Sequence, residues 1–205
     1  EIERVVPVIE ALRQRWDGVI SIDTMKPQVA RAAVKAGASL WNDVTALSYG
    51  ADSLETAADL GCQVVLMHMR GEPKTMQVEP HYDDVVAEVV GYLRARAEAA
   101  MAAGVARDKI WLDPGIGFAK TAAHNLILTK HLDQLVDLGF PVLYAASRKR
   151  VIQAVDATAT DPMDRLGGSL ALALEGVRQG ARMVRVHDVR HTVQALKLQA
   201  AIGAA

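Results

Sequence analysis

Gly18-Val-Ile-Ser-Ile-Asp-Thr-Met-Lys26, Pro27-Gln-Val-Ala-Arg-Ala-Ala-Val-Lys-Ala36 and Gly37-Ala-Ser-Leu-Trp-Asn-Asp-Val44 follow one another without a break, and the architecture is read from them. The apolar run closing on Asp23 has the length of a short strand. Pro27 stands where a first helical turn tolerates a missing N–H, and Gly37 stands where a helix ends. A second strand-like run, residues 39–44, then begins. Strand, helix, glycine, strand is the unit that joins parallel strands by a crossover.

The unit recurs along the chain. Strand-like runs cover residues 18–23, 39–44, 63–68, 109–113, 141–147 and 182–187. Helical spacing covers 1–16, 26–36, 53–60, 83–103, 124–138, 164–179 and 192–202. Gly37, Gly61, Gly104, Gly139 and Gly180 each fall between a helix and the next strand, as C-terminal helix stops do. The class is therefore α/β. An open doubly wound sheet and a closed barrel both satisfy the alternation. No glycine-rich dinucleotide fingerprint follows the first strand, which favours a (β/α)8 TIM barrel. Six β/α units are present, so two are expected upstream. The start inside the amphipathic run Glu1-Ile-Glu-Arg-Val-Val6, without a methionine, agrees with that. No linker or low-complexity segment divides the chain, so residues 1–205 are expected to form one N-terminally incomplete domain. The longest loops are expected at 71–80 and 157–163.

In a parallel barrel, the C-terminal strand ends carry the site. Here those ends read Asp23, Asn42-Asp43, His68, Asp113, Ser147-Arg-Lys149 and Arg185-Val-His-Asp188. Alternation in a strand turns Ser21 and Asp23 to one side and Ile20 and Ile22 to the other. Each polar residue also has a plainer reading. Asp23-Thr24 could cap the next helix, Asn42-Asp43 and Asp113-Pro-Gly115 could be turns, and Arg148-Lys-Arg150 could be a solvated basic run. His68 reads as structural, since no second His or Cys stands at metal spacing. Arg185, flanked by Val184 and Val186, calls for an anion if it is buried. Six polar ends in a row outweigh the plainer readings. Cations on the last two strands suit a phosphate or diphosphate. Asp23, Asn42 and Asp113 suit a heterocycle rich in N–H donors.

The bulk properties narrow the rest. A net charge of −1, with acids and bases interspersed, gives no footing for nucleic acid or an anionic membrane. Cys62 is the only cysteine, so no internal disulfide forms and a reducing, cytoplasmic compartment fits. No apolar run reaches the length of about 20 residues that a membrane helix needs.

Several segments resemble the dihydropteroate synthase family of pterin-binding barrels. They are Ser21-Ile-Asp-Thr24, Trp41-Asn-Asp-Val44, Met67-His-Met-Arg-Gly71, Pro73-Lys-Thr-Met-Gln77, Leu112-Asp-Pro-Gly-Ile-Gly-Phe118, Ser147-Arg-Lys149 and Arg185-Val-His-Asp-Val189. The resemblance implies condensation of 6-hydroxymethyl-7,8-dihydropterin diphosphate with p-aminobenzoate, giving 7,8-dihydropteroate and diphosphate for folate biosynthesis. It implies that Asp23, Asn42, Met67, Asp113, Phe118, Ala145 and Lys149 contact the pterin. Arg185, Val186 and His187 would hold the diphosphate, and Phe118, Lys149 and Arg150 would border the aminobenzoate. Asp23, Asp113, Lys149, Arg185 and His187 would act in the reaction. It further implies Mg2+ with the diphosphate (its Asn ligand on a strand outside this chain), sulfonamides as inhibitors, and a homodimer. The sequence departs from the family pattern at Ala119 and Ala145, where Gly is usual, and at Arg150, where Ser is usual. Two alternatives stay open: a pterin-binding methyltetrahydrofolate methyltransferase domain, and a non-catalytic pterin- or anion-binding fragment. A Schiff-base aldolase using Lys149 is a more distant one.

Overall fold

The computed structural model describes residues 1–71 and 80–205. The motif Pro73-Lys-Thr-Met-Gln77 and most of the expected 71–80 loop therefore lie outside the described residues. The elements run α1 (Ile2–Arg13), β1 (Ser21–Asp23), α2 (Pro27–Lys35), β2 (Leu40–Asp43), α3 (Ser53–Leu60), β3 (Gln63–Met67), α4 (Val85–Ala102), β4 (Ile110–Asp113), α5 (Ala122–Lys130), α6 (Asp133–Val136), β5 (Leu143–Tyr144), α7 (Arg150–Val155), α8 (Leu166–Arg178), β6 (Met183–Val184) and α9 (Val189–Gly203). The chain forms two compact units, Glu1–His68 with Gly91–Leu112, and Met69–Val90 with Asp113–Ala205.

In the first unit, β1 to β4 form one sheet in sequence order, and β1 and β3 both pair with β2 in parallel. Val64, Val65 and Leu66 of β3 are wholly buried, as expected of a strand covered on both faces. Helix α2 starts at Pro27 and buries Val29, Ala30 and Ala33. The Trp41 indole N–H donates to Thr24 O at 2.7 Å, tying the end of β1 to β2. The second unit holds the parallel pair β5–β6, with Leu143 opposite Met183 and Tyr144 opposite Val184. Tyr144 is buried, and its hydroxyl meets that of Thr129 on α5 at 2.7 Å.

All five inter-element glycines have positive φ, and Gly61 caps α3 in the left-handed conformation. Three expectations need correcting. The helix expected over 124–138 is two helices, α5 and α6, broken at His131-Leu132. Helix α7 was absent from the helical spacing, because six residues are too few to show a period. Thr24 and Asp23 do not cap α2: its N-cap is Lys26, whose N–H donates to Thr24 Oγ1 at 3.2 Å in a turn before the helix.

Candidate functional site

In the first unit, β1 shows the expected alternation, with Ile22 buried between exposed Ser21 and Asp23. The Nδ2 of Asn42 donates to Asp23 Oδ1 at 2.5 Å. That bond orients the amide, and it leaves Asn42 Oδ1 buried without a hydrogen-bond partner among the described residues. A buried acceptor without a donor is unstable unless a ligand supplies one. Asp43, next in sequence, has a different task. Its carboxylate accepts from the Thr45 N–H and hydroxyl and from the Leu47 N–H, at 2.8, 2.6 and 3.0 Å. Arg96 donates to Ala46 O and Leu47 O, so it and Asp43 together hold two consecutive left-handed residues. Asp43 is a turn residue, as its plainer reading said. His68 is buried edge-on against Tyr92 at 5.0 Å, a packing role. Met67 closes β3 and is buried.

In the second unit, Asp113 is buried at the end of β4 and accepts from the Gly115 N–H at 2.7 Å. Burial pushes its carboxyl up to about 6, while the Gly115 N–H, Lys120, Lys149 and Arg185 oppose the rise. Lys149 is held below the ordinary lysine range, chiefly by burial, with Asp113 opposing and Arg185 adding. Its Nζ lies 4.3 Å from the centre of the Phe118 ring, a cation–π distance. Its stem passes Gly117 so closely that a Cβ there would sit 3.1 Å from Lys149 Cδ, and Gly117 has φ +81 besides. The positive φ favours glycine at 117, and the close lysine stem leaves little room for a side chain. Asp113, Phe118, Lys149 and Arg185 are thus brought together.

Lys149 of this cluster lines two cavities, neither of which Asp113 or Phe118 lines. One, of about 360 Å³, is lined by Ala145, Ser147, Arg148, Lys149, Pro162, Arg185 and His187. Ser147 Oγ accepts from the His187 N–H at 3.3 Å and lies 3.0 Å from its ring Nδ1, which sets the ring's orientation. Val186 does not line this cavity. The other, of about 600 Å³, is lined by Lys120, Thr121, Asn125, Lys149, Arg150 and Ala154 among others. Ala145 lines the smaller cavity and Arg150 the larger.

Arg185 departs from its expected setting. Strand β6 ends at Val184, and Arg185 is exposed, held by its N–H donating to Tyr144 O at 3.1 Å. Arg185 is thus not a buried cation, and it lines a cavity instead. Arg148 is not a solvated charge either. Its guanidinium donates twice to Asp188, at 3.0 and 2.7 Å, and its N–H donates to Ser169 Oγ at 2.9 Å. Buried Arg165 donates to Arg148 O at 3.0 Å. These bonds fix Arg148 in a left-handed conformation, φ +59, that presents Lys149. Lys120 was also missed. It is buried, and only its place two residues after Phe118 could have hinted at it.

Ala119 has φ +49 and is buried. A Cβ in that region costs about 1–2 kcal/mol, less the extra chain entropy that glycine loses on folding. Ala119→Gly is expected to stabilise the fold by about 0.5–1 kcal/mol, read as a higher urea midpoint at unchanged slope. A midpoint that stays or falls would refute the strain.

Residues 1–187 match the family described as pterin binding enzyme. The dihydropteroate synthase of Escherichia coli K12 is 45% identical over 198 residues, 97% of this chain and 69% of its own length. The crystal structure of the Stenotrophomonas maltophilia dihydropteroate synthase, with imidazole bound in its active site, superposes with a TM-score of 0.97 at 49% identity. It covers all of this chain, and the chain covers 77% of it. The Xanthomonas albilineans dihydropteroate synthase in complex with 7,8-dihydropteroate gives 0.93 at 46% identity, covering 100% of this chain and 74% of its own. The chain belongs to the pterin-binding enzyme family, on the dihydropteroate synthase branch.

Proposed function

We propose that this protein condenses 6-hydroxymethyl-7,8-dihydropterin diphosphate with p-aminobenzoate, releasing diphosphate and 7,8-dihydropteroate. The observation that carries this reading is the convergence of Lys149, Arg185 and His187 on one cavity, with Asp113 in the field of the first two. The S. maltophilia and X. albilineans structures support it at the level of the fold and of the bound product's class.

The chemistry follows from the groups present. An aryl amine is a weak nucleophile, but it is neutral at pH 7 and needs no strong base. Departure of diphosphate is the harder part. Arg185 and His187 are assigned to the leaving diphosphate, where each aimed donor is worth about 2.7–4 kcal/mol of barrier. Val186 can offer only backbone there. Asp113 in its ionised form accepts ring N–H groups and favours positive charge on the pterin as C–O cleavage runs ahead of N–C bonding. Asp23 and Asn42 are assigned to pterin N–H groups as well, on the strength of the unpartnered Asn42 Oδ1. Met67 and Ala145 are assigned to apolar contact with the ring. Among the described residues, no three His, Cys, Asp or Glu side chains converge as a metal site. Mg2+ is proposed to accompany the substrate's diphosphate, with its Asn ligand on a strand outside this chain.

Arg150 is proposed to bind the aminobenzoate carboxylate, because it is exposed at the wall of the larger cavity. Arg150→Ala is then expected to raise the KM for p-aminobenzoate about tenfold while leaving that for the pterin substrate alone. An unchanged KM would remove the guanidinium from this role. Sulfonamides, which mimic the aminobenzoate, are the expected inhibitors.

The (β/α)8 barrel, with this chain supplying six of its units as one pterin-binding domain, is proposed from the parallel pairings and the greater length of the relatives. A homodimer and a cytoplasmic location are proposed with it. No helix among the described residues is long and apolar enough to cross a membrane. The deciding assay is diphosphate release by the intact protein, which must depend on p-aminobenzoate. Binding of both substrates without release would leave a non-catalytic pterin module. A methyltransferase domain needs no such cationic cavity and is disfavoured by it.

A further inference from the structure

Lys120 points into the turn that follows Asp113, and is buried there. Its Nζ donates to Gly115 O at 3.1 Å and to Phe118 O at 3.0 Å. The same turn returns the Gly115 N–H to the Asp113 carboxylate. Phe118, at its far end, presents its ring to Lys149. Three further bonds set the outside of the turn. The Gly117 N–H donates to Asn125 Oδ1 at 2.8 Å, Asn125 Nδ2 donates to Thr121 O at 2.8 Å, and the Tyr82 hydroxyl donates to Ala119 O at 2.9 Å. Carbonyls aimed inward at one ammonium would repel each other without it, so the charge organises the turn.

We propose that Lys120 is a positioning residue for the pterin chemistry: it holds the Asp113 carboxyl and the Phe118 ring in register by gathering the backbone between them. This rests on the function proposed above. Two electrostatic facts add to the geometry. Lys120 favours the ionised form of Asp113, together with Lys149 and Arg185. Burial brings Lys120 itself down to about 7, with Asp113 opposing and Arg70 adding to the fall. His124 on α5 feels Lys120 in turn and is lowered, first by burial and then by that charge. Among the described residues, the titratable and charged groups in the field of Lys120 include Asp113, Arg70 and His124.

Lys120→Met in the intact protein tests this. Loss of the nearby cation leaves Asp113 harder to ionise, so the acid limb of kcat/KM for the pterin substrate should move to higher pH, by about half a unit or more. The KM for p-aminobenzoate should rise about tenfold as Phe118 loses its anchor. Lys120→Arg keeps charge and donors and should leave the acid limb in place. A purely structural lysine would lower the melting temperature without moving that limb. Should Lys120→Met not fold, Lys120→Gln takes its place with the same expected shift. An unmoved acid limb in a folded variant overturns the proposal, and so does loss of fold in both. A wild-type protein that releases no diphosphate refutes the functional reading instead, whatever the variants do.

Discussion

Arg185→Met is expected to slow diphosphate release about 10²- to 10³-fold in kcat/KM, the loss that follows removal of one donor aimed at developing charge. Methionine keeps an unbranched apolar stem and removes the charge and donors, and the backbone N–H bond to Tyr144 O is unaffected. Arg185 lines the cavity proposed for the diphosphate, beside Ser147, Lys149 and His187. Its charge also lowers Lys149 and helps keep Asp113 ionised. The variant should therefore show two effects at once: slower release, and an acid limb moved to higher pH. Because Arg185 is exposed, stability should change by no more than about 0.5 kcal/mol. Steady-state rates across pH, with melting curves alongside, separate these outcomes. A rate within threefold of wild type would remove Arg185 from the diphosphate site.

Asp113→Asn should exchange affinity for stability. The amide turns an acceptor toward ring N–H groups into a partial donor, and pterin binding should weaken at least tenfold by calorimetry. The sign for stability follows from the direction of the shift. Folding raises this carboxyl from 3.8 to about 6. Its protonated form is thus favoured in the fold, and the stability this confers is full below pH 3.8 and lost as pH rises through about 6. At pH 7–8 the buried carboxylate burdens the fold by roughly 2–3 kcal/mol, which the neutral amide does not. The variant should accordingly melt higher at pH 7.5 and not at pH 4. In the wild type, pterin affinity should decline about tenfold per unit as pH falls below about 6, since a protonated Asp113 faces N–H groups with a donor of its own. Retained affinity in the variant would count against placing the pterin at Asp113.

Much of this was legible in the residues alone. The alternation of short apolar runs with helical spacing located the six strands found among the described residues, because side-chain period is a local property. Pro27 and the five glycines marked ends correctly, since φ restriction is also local. Asp23, Asn42 and Asp113 lie at strand ends as that frame expects, but the strands expected over 141–147 and 182–187 stop at Tyr144 and Val184, so Lys149, Arg185 and His187 lie in the segments beyond them. Where tertiary context intervened, the reading slipped. Arg148 could be read as part of a solvated basic run, yet it pairs with Asp188, while Asp43 keeps its plainer reading as a turn residue held by donors two and four positions on.

Sequence by itself determined the α/β class, the order of the units and the polar character of the strand ends. It could not determine which charges are covered or whom they meet. Arg148 is neutralised by Asp188, 40 residues away, and held left-handed by a hydroxyl on α8. Lys120 is buried by a turn of its own making, while Arg185, between two valines, stays exposed. Burial and pairing depend on long-range packing, and desolvation then decides each group's charge. No local pattern of letters encodes either.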